Sequence, residues 1–501
     1  MRTNDARLRP LTGRLSAASS SKRNAQHRDL HSGMAAKFMI RTFGCQMNEH
    51  DSERLAGMFV AEGMEATDEL GDADLVVFNT CCIRENADNR LYGHLGQLKA
   101  LRAAKPHLQI AVGGCLAQKD RALVRERAGH VDVVFGTHNL ARAPALLRQA
   151  REDGPIVEIL DEPVAQSEDG ASALNAMREV PYAAWVTIQT GCDNSCAFCI
   201  VPSVRGPEVS RPIAEIVAEV ETLAARGVVE VTLLGQNVNS YGRDLTRRRP
   251  LFAELLRAVG SVEGIRRVRF TSPHPKDLRP ETIAAMAEVP TVCNQLHLPL
   301  QSGSDEVLSM MRRGYNAARY LERLRAARAA VDDLAVSTDI IVGFPGETDA
   351  QFAETLAVVA EAEYDSAYTF IFSPRPGTRA AAMTDRFVAP EVVAERFERL
   401  RMVVERSALA RHQGRLGRLE EVLVEGPSKR DPFVVTGRST QGKLVHFAPT
   451  GEGADAGTRS PAVGSFAEVL VTGAGPHHLS GSLQRVTASP RHRTRIPVTA
   501  R

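Results

Sequence analysis

The chain has 501 residues, 43% of them hydrophobic, and its 62 Lys and Arg against 60 Asp and Glu leave a formal charge of +2. That length predicts two to four domains. The balanced charge confines any nucleic-acid surface to a local patch, a single Trp excludes aromatic stacking as a widespread device, and no apolar run approaches the length of about 18 residues that a membrane helix needs.

Residues 1–33 hold seven Lys and Arg, two Asp and no apolar core. A secretory signal needs an apolar stretch of about 7–15 residues, which excludes one here. The Arg- and Ser-rich texture mimics an organelle transit peptide; the segment 1–35 reads as a disordered leader. From residue 37, strand-like and helix-like runs alternate. KFMIRTF, DLVVFNT, QIAVGG and VDVVFGT are predicted strands. NEHDSERLAGMFVAEG, RENADNRLYGHLGQLKAL and AQKDRALVRERAG are predicted helices, the first opened by Asn48 as a cap. The alternation predicts an open parallel α/β sheet domain over 36–150. Small, acidic and irregular residues over 151–180 read as a linker.

A second alternating series supplies six strand candidates, at 184–189, 228–235, 267–272, 294–300, 334–343 and 366–373. Six βα units without a seventh predict a partial (β/α)6 barrel over 181–415, with function in the loops at the carboxyl ends of its strands. Its last helix is amphipathic, over 386–415. Four short runs split by Gly, Pro and Asp then predict a small antiparallel β-barrel over 416–486, of the kind that handles RNA. Its Arg415, Arg418, Lys429, Arg430, Arg438 and Lys443 form a basic bias, although charge runs are usually solvated faces. Residues 487–501, with four Arg and no acid, read as a disordered basic tail.

Eight cysteines punctuate this order. Cys192, Cys196 and Cys199 crowd into TGCDNSCAFC. A disulfide framework suits small secreted domains, and a structural zinc site wants four ligands where this loop holds three. Three thiolates fit a 4Fe–4S cluster with one iron left open. Cys45, Cys81 and Cys115 each follow one of the first three predicted strands, so a parallel sheet brings them to one edge, where ligands bind. They repeat the pattern of three ligands and an open position. Cys82, expected to point away from Cys81, and Cys293 are read as non-ligands.

The C-x3-C-x2-C loop, with Phe198 before its third cysteine, resembles the signature of radical S-adenosylmethionine enzymes. The resemblance implies that the open iron binds the methionine amino and carboxylate groups of S-adenosylmethionine. It implies cofactor contacts from Gln236 and Asn237 in LLGQNVNSYG and from Gly343 in IIVGFPGE, a segment that departs from the superfamily pattern at Asp339 and Gly346. The three-part order resembles the methylthiotransferase family with its C-terminal TRAM module, over residues 37–485. TFGCQMNEHDSER, NTCCIRENADNR, CIVPSVRGPEVSR, GQNVNSYG, QLHLPLQSGSDEVL and FSPRPGT are similar to the MiaB-type tRNA branch.

That branch implies methylthiolation of carbon 2 of N6-(dimethylallyl)adenosine at position 37 of tRNA. It implies two 4Fe–4S clusters, two S-adenosylmethionine molecules per turnover, and a cytoplasmic monomer without membrane contact. A reducing donor such as a flavodoxin or ferredoxin is implied as well. Arg205, Glu208 and Arg211 are substrate candidates at the mouth, or else loop ion pairs. The alternatives are a methylthiotransferase acting on a ribosomal-protein side chain or another modified adenosine, and a non-catalytic RNA-binding iron–sulfur sensor.

Overall fold

Parallel strands buried on both faces read as nearly continuous apolar runs, and the first sheet is built around two such strands. The computed structural model describes residues 35–82, 85–161, 176–178, 180–449 and 461–491, without the side chains of 85–88. Most of the expected leader, linker and tail lies outside the described residues. The first sheet comprises β1 (Lys37–Phe43), β2 (Glu65–Ala66), β3 (Leu75–Thr80), β4 (Gln109–Gly114), β5 (Val133–Phe135) and β6 (Ile156–Glu158), all parallel in the order β2-β1-β3-β4-β5-β6. β3 and β4 are buried at every residue, as double-sided packing requires. Val76, Phe78, Ile110 and Val112 meet Leu91, Leu95 and Leu98 on one face. Leu75, Val77, Ala111 and Val133 meet Leu55, Phe59 and Leu146 on the other. β2 and β6 are edge strands too short to leave an alternation in the sequence, and β6 lies in the segment read as linker.

Asn48 is not a helix cap. The helix runs over Gln46–Ala61 with Cys45 at its N-cap position, and Asn48 is buried within it.

The second domain contains all six strands expected of it: β7 (Ala183–Thr187), then, after the ribbon of β8 (Gln189–Thr190) and β9 (Val209–Ser210), β10 (Glu230–Leu234), β11 (Arg267–Phe270), β12 (Gln295–His297), β13 (Ala335–Val342) and β14 (Ser366–Ile371). β7-β10-β11 and β12-β13-β14 form two parallel sheets, joined by a parallel bridge between Val268 and Val292. β7 and β14 are not paired to each other, so the barrel stays partial. A continuous core runs from Val186 and Leu233 through Leu296 and Val336 to Leu400 on the helix Pro390–Gln413.

The C-terminal module is a closed barrel of β15 (Leu419–Pro427), β16 (Val435–Ser439), β17 (Leu444–Ala448), β18 (Phe466–Ala474) and β19 (Leu479–Ala488), in the order β15-β16-β17-β19-β18. β19, LSGSLQRVTA, escapes sequence reading because it has few apolar residues. β17 and β19 run parallel, where an all-antiparallel barrel was expected. The module docks on the amino ends of the central strands. Arg267, 1% exposed, donates to the Arg438 and Glu421 carbonyls at 2.7 and 2.8 Å. Arg269 donates to the Ser439 and Thr440 carbonyls at 2.8 and 3.0 Å. Leu423 and Phe466 pack against Tyr182 and Val229.

This docking takes up three of the six basic residues read as an RNA surface, Arg415, Arg418 and Lys443, and a fourth, Arg438, is paired within the barrel. Arg415 pairs with Asp333 and Glu420, Arg418 with Asp333, Arg438 with Glu425, and Lys443 with Asp365. Lys429 and Arg430 remain exposed, beside Phe433 at 83% exposure.

Candidate functional site: two cysteine trios across a domain junction

β1, β3 and β4 are neighbours in the first sheet, so the residues leaving their carboxyl ends share one edge. Cys45, Cys81 and Cys115 are those residues. Gly114, at φ +91°, makes the turn into Cys115; a Cβ there would lie 2.4 Å from Asn79 Oδ1. Behind the thiols, Asn48 Nδ2 donates to Asn79 Oδ1 at 3.1 Å, and Asn79 Nδ2 donates to the Asn48 carbonyl at 2.8 Å. That is the work Asn48 does in place of capping.

Thiolates, not thiols, ligate metal, and the surroundings favour them here. A hydrogen bond with the Cys81 thiol, helped by the Arg205 guanidinium, brings Cys45 down to about 6 despite burial. The Cys82 thiol and Arg205 bring Cys115 down to about 7. Cys82 therefore does not point away: the strand ends at Thr80, alternation stops, and its side chain turns to Cys115. Its bond to Cys115 and its burial hold it protonated, well above the ordinary thiol range.

The second trio follows β8. Gly191, at φ +73°, makes the turn; a Cβ there would sit 1.8 Å from the Pro207 carbonyl oxygen. The Cys192 amide donates to the Gly206 carbonyl at 3.1 Å, and the Ala197 amide to the Met311 carbonyl at 2.9 Å. Phe198 packs with Met310, Ile341 and Phe372 beneath the loop. Burial pushes Cys199 up to about 12 and raises Cys192. Arg313 offsets this on one side: its Nη1 donates to Cys196 Sγ at 3.3 Å, and its Nε to the Tyr315 hydroxyl at 3.2 Å. No spacing in the sequence marked Arg313, because it reaches the loop from 117 residues away.

Beside this loop, Asn237 Nδ2 donates to Asp277 at 2.8 Å, and Gln189 Nε2 to the Asn237 carbonyl at 2.9 Å. Asn237 Oδ1 and Gln189 Oε1 are buried without a hydrogen-bond partner, as groups awaiting a polar ligand would be. Gln236 is half-buried in the same loop. Gly343 has a packing reason for its identity: φ is +75° and a Cβ would lie 2.6 Å from Val393. Its amide donates to Glu347 at 2.9 Å, one position beyond the missing acid of the superfamily pattern.

Arg205, Glu208 and Arg211 are all engaged internally. Arg205, buried, pairs with Asp51 at 3.0 Å across the junction. Both Glu208 carboxylate oxygens accept from Ser240, at 2.6 and 2.7 Å, and burial pushes Glu208 up to about 7. Arg211 pairs with Glu219 at 2.7 Å and donates to the Thr187 carbonyl at 2.8 Å.

The junction brings the two trios together. The short helix Val201–Arg205, which follows Cys199, packs Ile200 and Val204 against Cys82 and Cys115. Thr137 Oγ1 donates to the Val204 carbonyl at 2.6 Å. His50, buried, meets Thr187 Oγ1 through Nδ1 at 2.8 Å. Burial, with Arg54 nearby, brings His50 down to about 3 from 6.5. Unfolding lets it take up a proton, so its contribution is full above pH 6.5 and is lost as pH falls toward 3. Denaturant midpoints of wild type should drop between pH 7 and 5, by up to about 1.4 kcal/mol per pH unit from this group. His50→Asn should flatten that limb; an unchanged pH slope would refute it.

Among the described residues, no three His, Cys, Asp or Glu side chains stand close enough to hold a single metal ion. A cuboidal cluster makes a different demand, since each thiolate binds its own iron. Cys45 and Cys115 lowered toward thiolate in the first trio, and in the second an N–H donor on Cys196 with orphaned amide oxygens beside the loop, fit that group.

The Radical SAM superfamily model matches residues 186–359, and that of Uncharacterized protein family UPF0004 matches residues 37–136. The first places a 4Fe–4S cluster and S-adenosylmethionine in the barrel domain. Among solved structures, the radical S-adenosylmethionine methyltransferase TsrM from Kitasatospora setae is 14% identical, with a TM-score of 0.49 over 69% of this chain and 75% of that one. A tRNA-2-methylthio-N(6)-dimethylallyladenosine synthase from Parafrankia sp. (strain EAN1pec) is 53% identical over 447 residues, 88% of this chain and 89% of that protein. Proteins of the same name from Mycobacteroides abscessus and Nocardia farcinica are 51% and 52% identical, over 88% and 89% of this chain and 87% and 88% of theirs. Identity of 51–53% over 88–89% of the chain means that the chain belongs to the tRNA-2-methylthio-N(6)-dimethylallyladenosine synthase family of radical S-adenosylmethionine enzymes.

Proposed function

We propose that the chain transfers a methylthio group to carbon 2 of N6-(dimethylallyl)adenosine at position 37 of tRNA. The observation that carries this reading is the apposition of the two trios through the helix Val201–Arg205. Cys192, Cys196 and Cys199 would hold the cluster that serves S-adenosylmethionine, and Cys45, Cys81 and Cys115 a second 4Fe–4S cluster. When bound, these groups supply radical hydrogen abstraction and sulfur, which an aromatic C–H without acidity requires and a side-chain base cannot give.

The chain's own part is placement. Arg313 holds a positive charge and an N–H donor against Cys196 Sγ. Asn237 offers its free amide oxygen as an acceptor for the ammonium or ribose of the cofactor, with Gln236 in the same loop. Arg205, committed to Asp51, fixes the distance between the two cysteine edges. A nucleotide would reach the trios from the carboxyl ends of the barrel strands. No helix is long and apolar enough to cross a membrane among the described residues; a cytoplasmic monomer reduced by a flavodoxin or ferredoxin completes the proposal.

The test is anaerobic incubation of reconstituted protein with S-adenosylmethionine, reductant and tRNA, with and without the dimethylallyl group. Methylthio product is expected only on the dimethylallyl tRNA. Product on a ribosomal protein, or on another modified adenosine instead, would replace this reading; absence of 5′-deoxyadenosine would leave a non-catalytic iron–sulfur RNA binder.

A further inference from the structure

The mouth of the central barrel carries a basic face that the cofactor chemistry does not use. Three segments at the carboxyl ends of the strands build it. Lys276 and Arg279 lie in the loop after β11, Arg312 in the turn that also carries Arg313, and Arg319 and Arg323 on the first turns of the helix Ala317–Ala330. The segments touch: Gly314 lies against the Lys276 side chain, and Arg323 donates to the Pro275 carbonyl.

Their charges are not balanced locally. Asp277 is the acid at the centre, but it is buried and already takes Arg243, Lys276 and Asn237. Arg279, Arg312 and Arg319 are exposed, and among the described residues no carboxylate pairs with them. Glu281, Glu322 and Asp305, whose carboxylate accepts from the Ala317 amide, flank the face, and none of them pairs with these three arginines. Arg323 is lowered by burial and then by the repulsion of Arg319. Like charges crowded at this cost are a signature of a surface completed by an anion. Arg312 also sits at φ +58°, a left-handed conformation that an ordinary turn residue avoids.

We propose that this face is the phosphate-docking surface for the RNA, deepening the function proposed above and resting on it. Charge complementarity selects a polyanion, and position selects RNA. A nucleotide entering the mouth brings its flanking phosphates onto the rim beside Asn237 and Cys196. The C-terminal barrel docks at the opposite ends of the same strands, with Arg415, Arg418 and Lys443 turned into that contact. RNA phosphates are then positioned at the mouth itself, by contacts that carry no base readout.

The experiment compares wild type with Arg279→Gln/Arg319→Gln and with the charge-matched control Arg257→Gln/Arg401→Gln, whose arginines lie on outer helices. The probe is an anticodon stem–loop RNA carrying N6-(dimethylallyl)adenosine, bound to the full reconstituted chain over a series of salt concentrations. The rim variant should bind about tenfold more weakly, with a salt slope shallower by about two. The control should match wild type, and RNA-independent S-adenosylmethionine cleavage should be unchanged in both. Equal affinity and slope for the rim variant overturns the inference. So does a rim variant that binds RNA normally but is reduced more slowly by flavodoxin than by dithionite, which would give the face to an acidic electron donor. Failure of wild type to bind the RNA would instead defeat the function on which the inference rests.

Discussion

Replacing Cys192, Cys196 and Cys199 together by Ala is expected to abolish S-adenosylmethionine cleavage while leaving about four irons per chain of an original eight or so. Replacing Cys45, Cys81 and Cys115 should also leave about four irons. That variant, however, should still make 5′-deoxyadenosine and yield no methylthio product. The asymmetry follows from where the trios sit. One occupies a single loop between β8 and β9, supported by Met311 and Ala380 from its own domain. The other is spread over three strand ends of a sheet with separate cores on its two faces. Cys to Ala removes one sulfur from each site and leaves those cores untouched, so each variant should fold. Iron and sulfide analysis, with product chromatography, reads the result. Cleavage surviving loss of the first trio, or eight irons in either variant, would overturn the two-cluster assignment. One tightly held zinc would do so as well.

The features legible in the sequence were those in which local pattern and chemistry coincide. β3 and β4 were visible because strands buried on both faces must be apolar throughout. The trios were visible because cysteines recur just after strands. β19 was hidden, since a barrel strand with one polar face and several small residues carries little periodicity. Asn48 shows a different limit. Its place ahead of a helical run suggested a cap, but its partner is Asn79, 31 residues on. Arg313 and Asp51 were silent for the same reason, because a buried contact between residues more than 100 positions apart leaves no spacing. The basic residues of the last module show the reverse error. Arg415 and Lys443 looked like RNA ligands because composition reveals charge and conceals the Asp333 and Asp365 that answer it.

The junction makes the second large prediction. Arg205 and Asp51 are both buried, and they pair across the two domains at 3.0 Å. Removing one partner of such a pair strands the other charge away from water. Arg205→Ala should therefore lower stability by about 3–5 kcal/mol, with Asp51→Ala similar. The double variant Arg205→Met/Asp51→Leu should recover most of this, since apolar side chains of similar volume often replace a buried ion pair without loss. Activity should not recover with it. Arg205 also bears on the Cys45 and Cys115 thiols, holding both toward thiolate, and Met cannot. In the double variant, 5′-deoxyadenosine formation per radical cluster should persist while methylthio product per 5′-deoxyadenosine falls, by about tenfold or more for a charge contact of about 1.4 kcal/mol or more. Denaturant midpoints give the first quantity, and the ratio of the two products gives the second. A double variant with restored stability and a wild-type product ratio would reduce Arg205 to a clasp between domains. Restored stability with a fallen ratio makes it a positioning residue, acting on the edge of Cys45, Cys81 and Cys115 from the barrel domain.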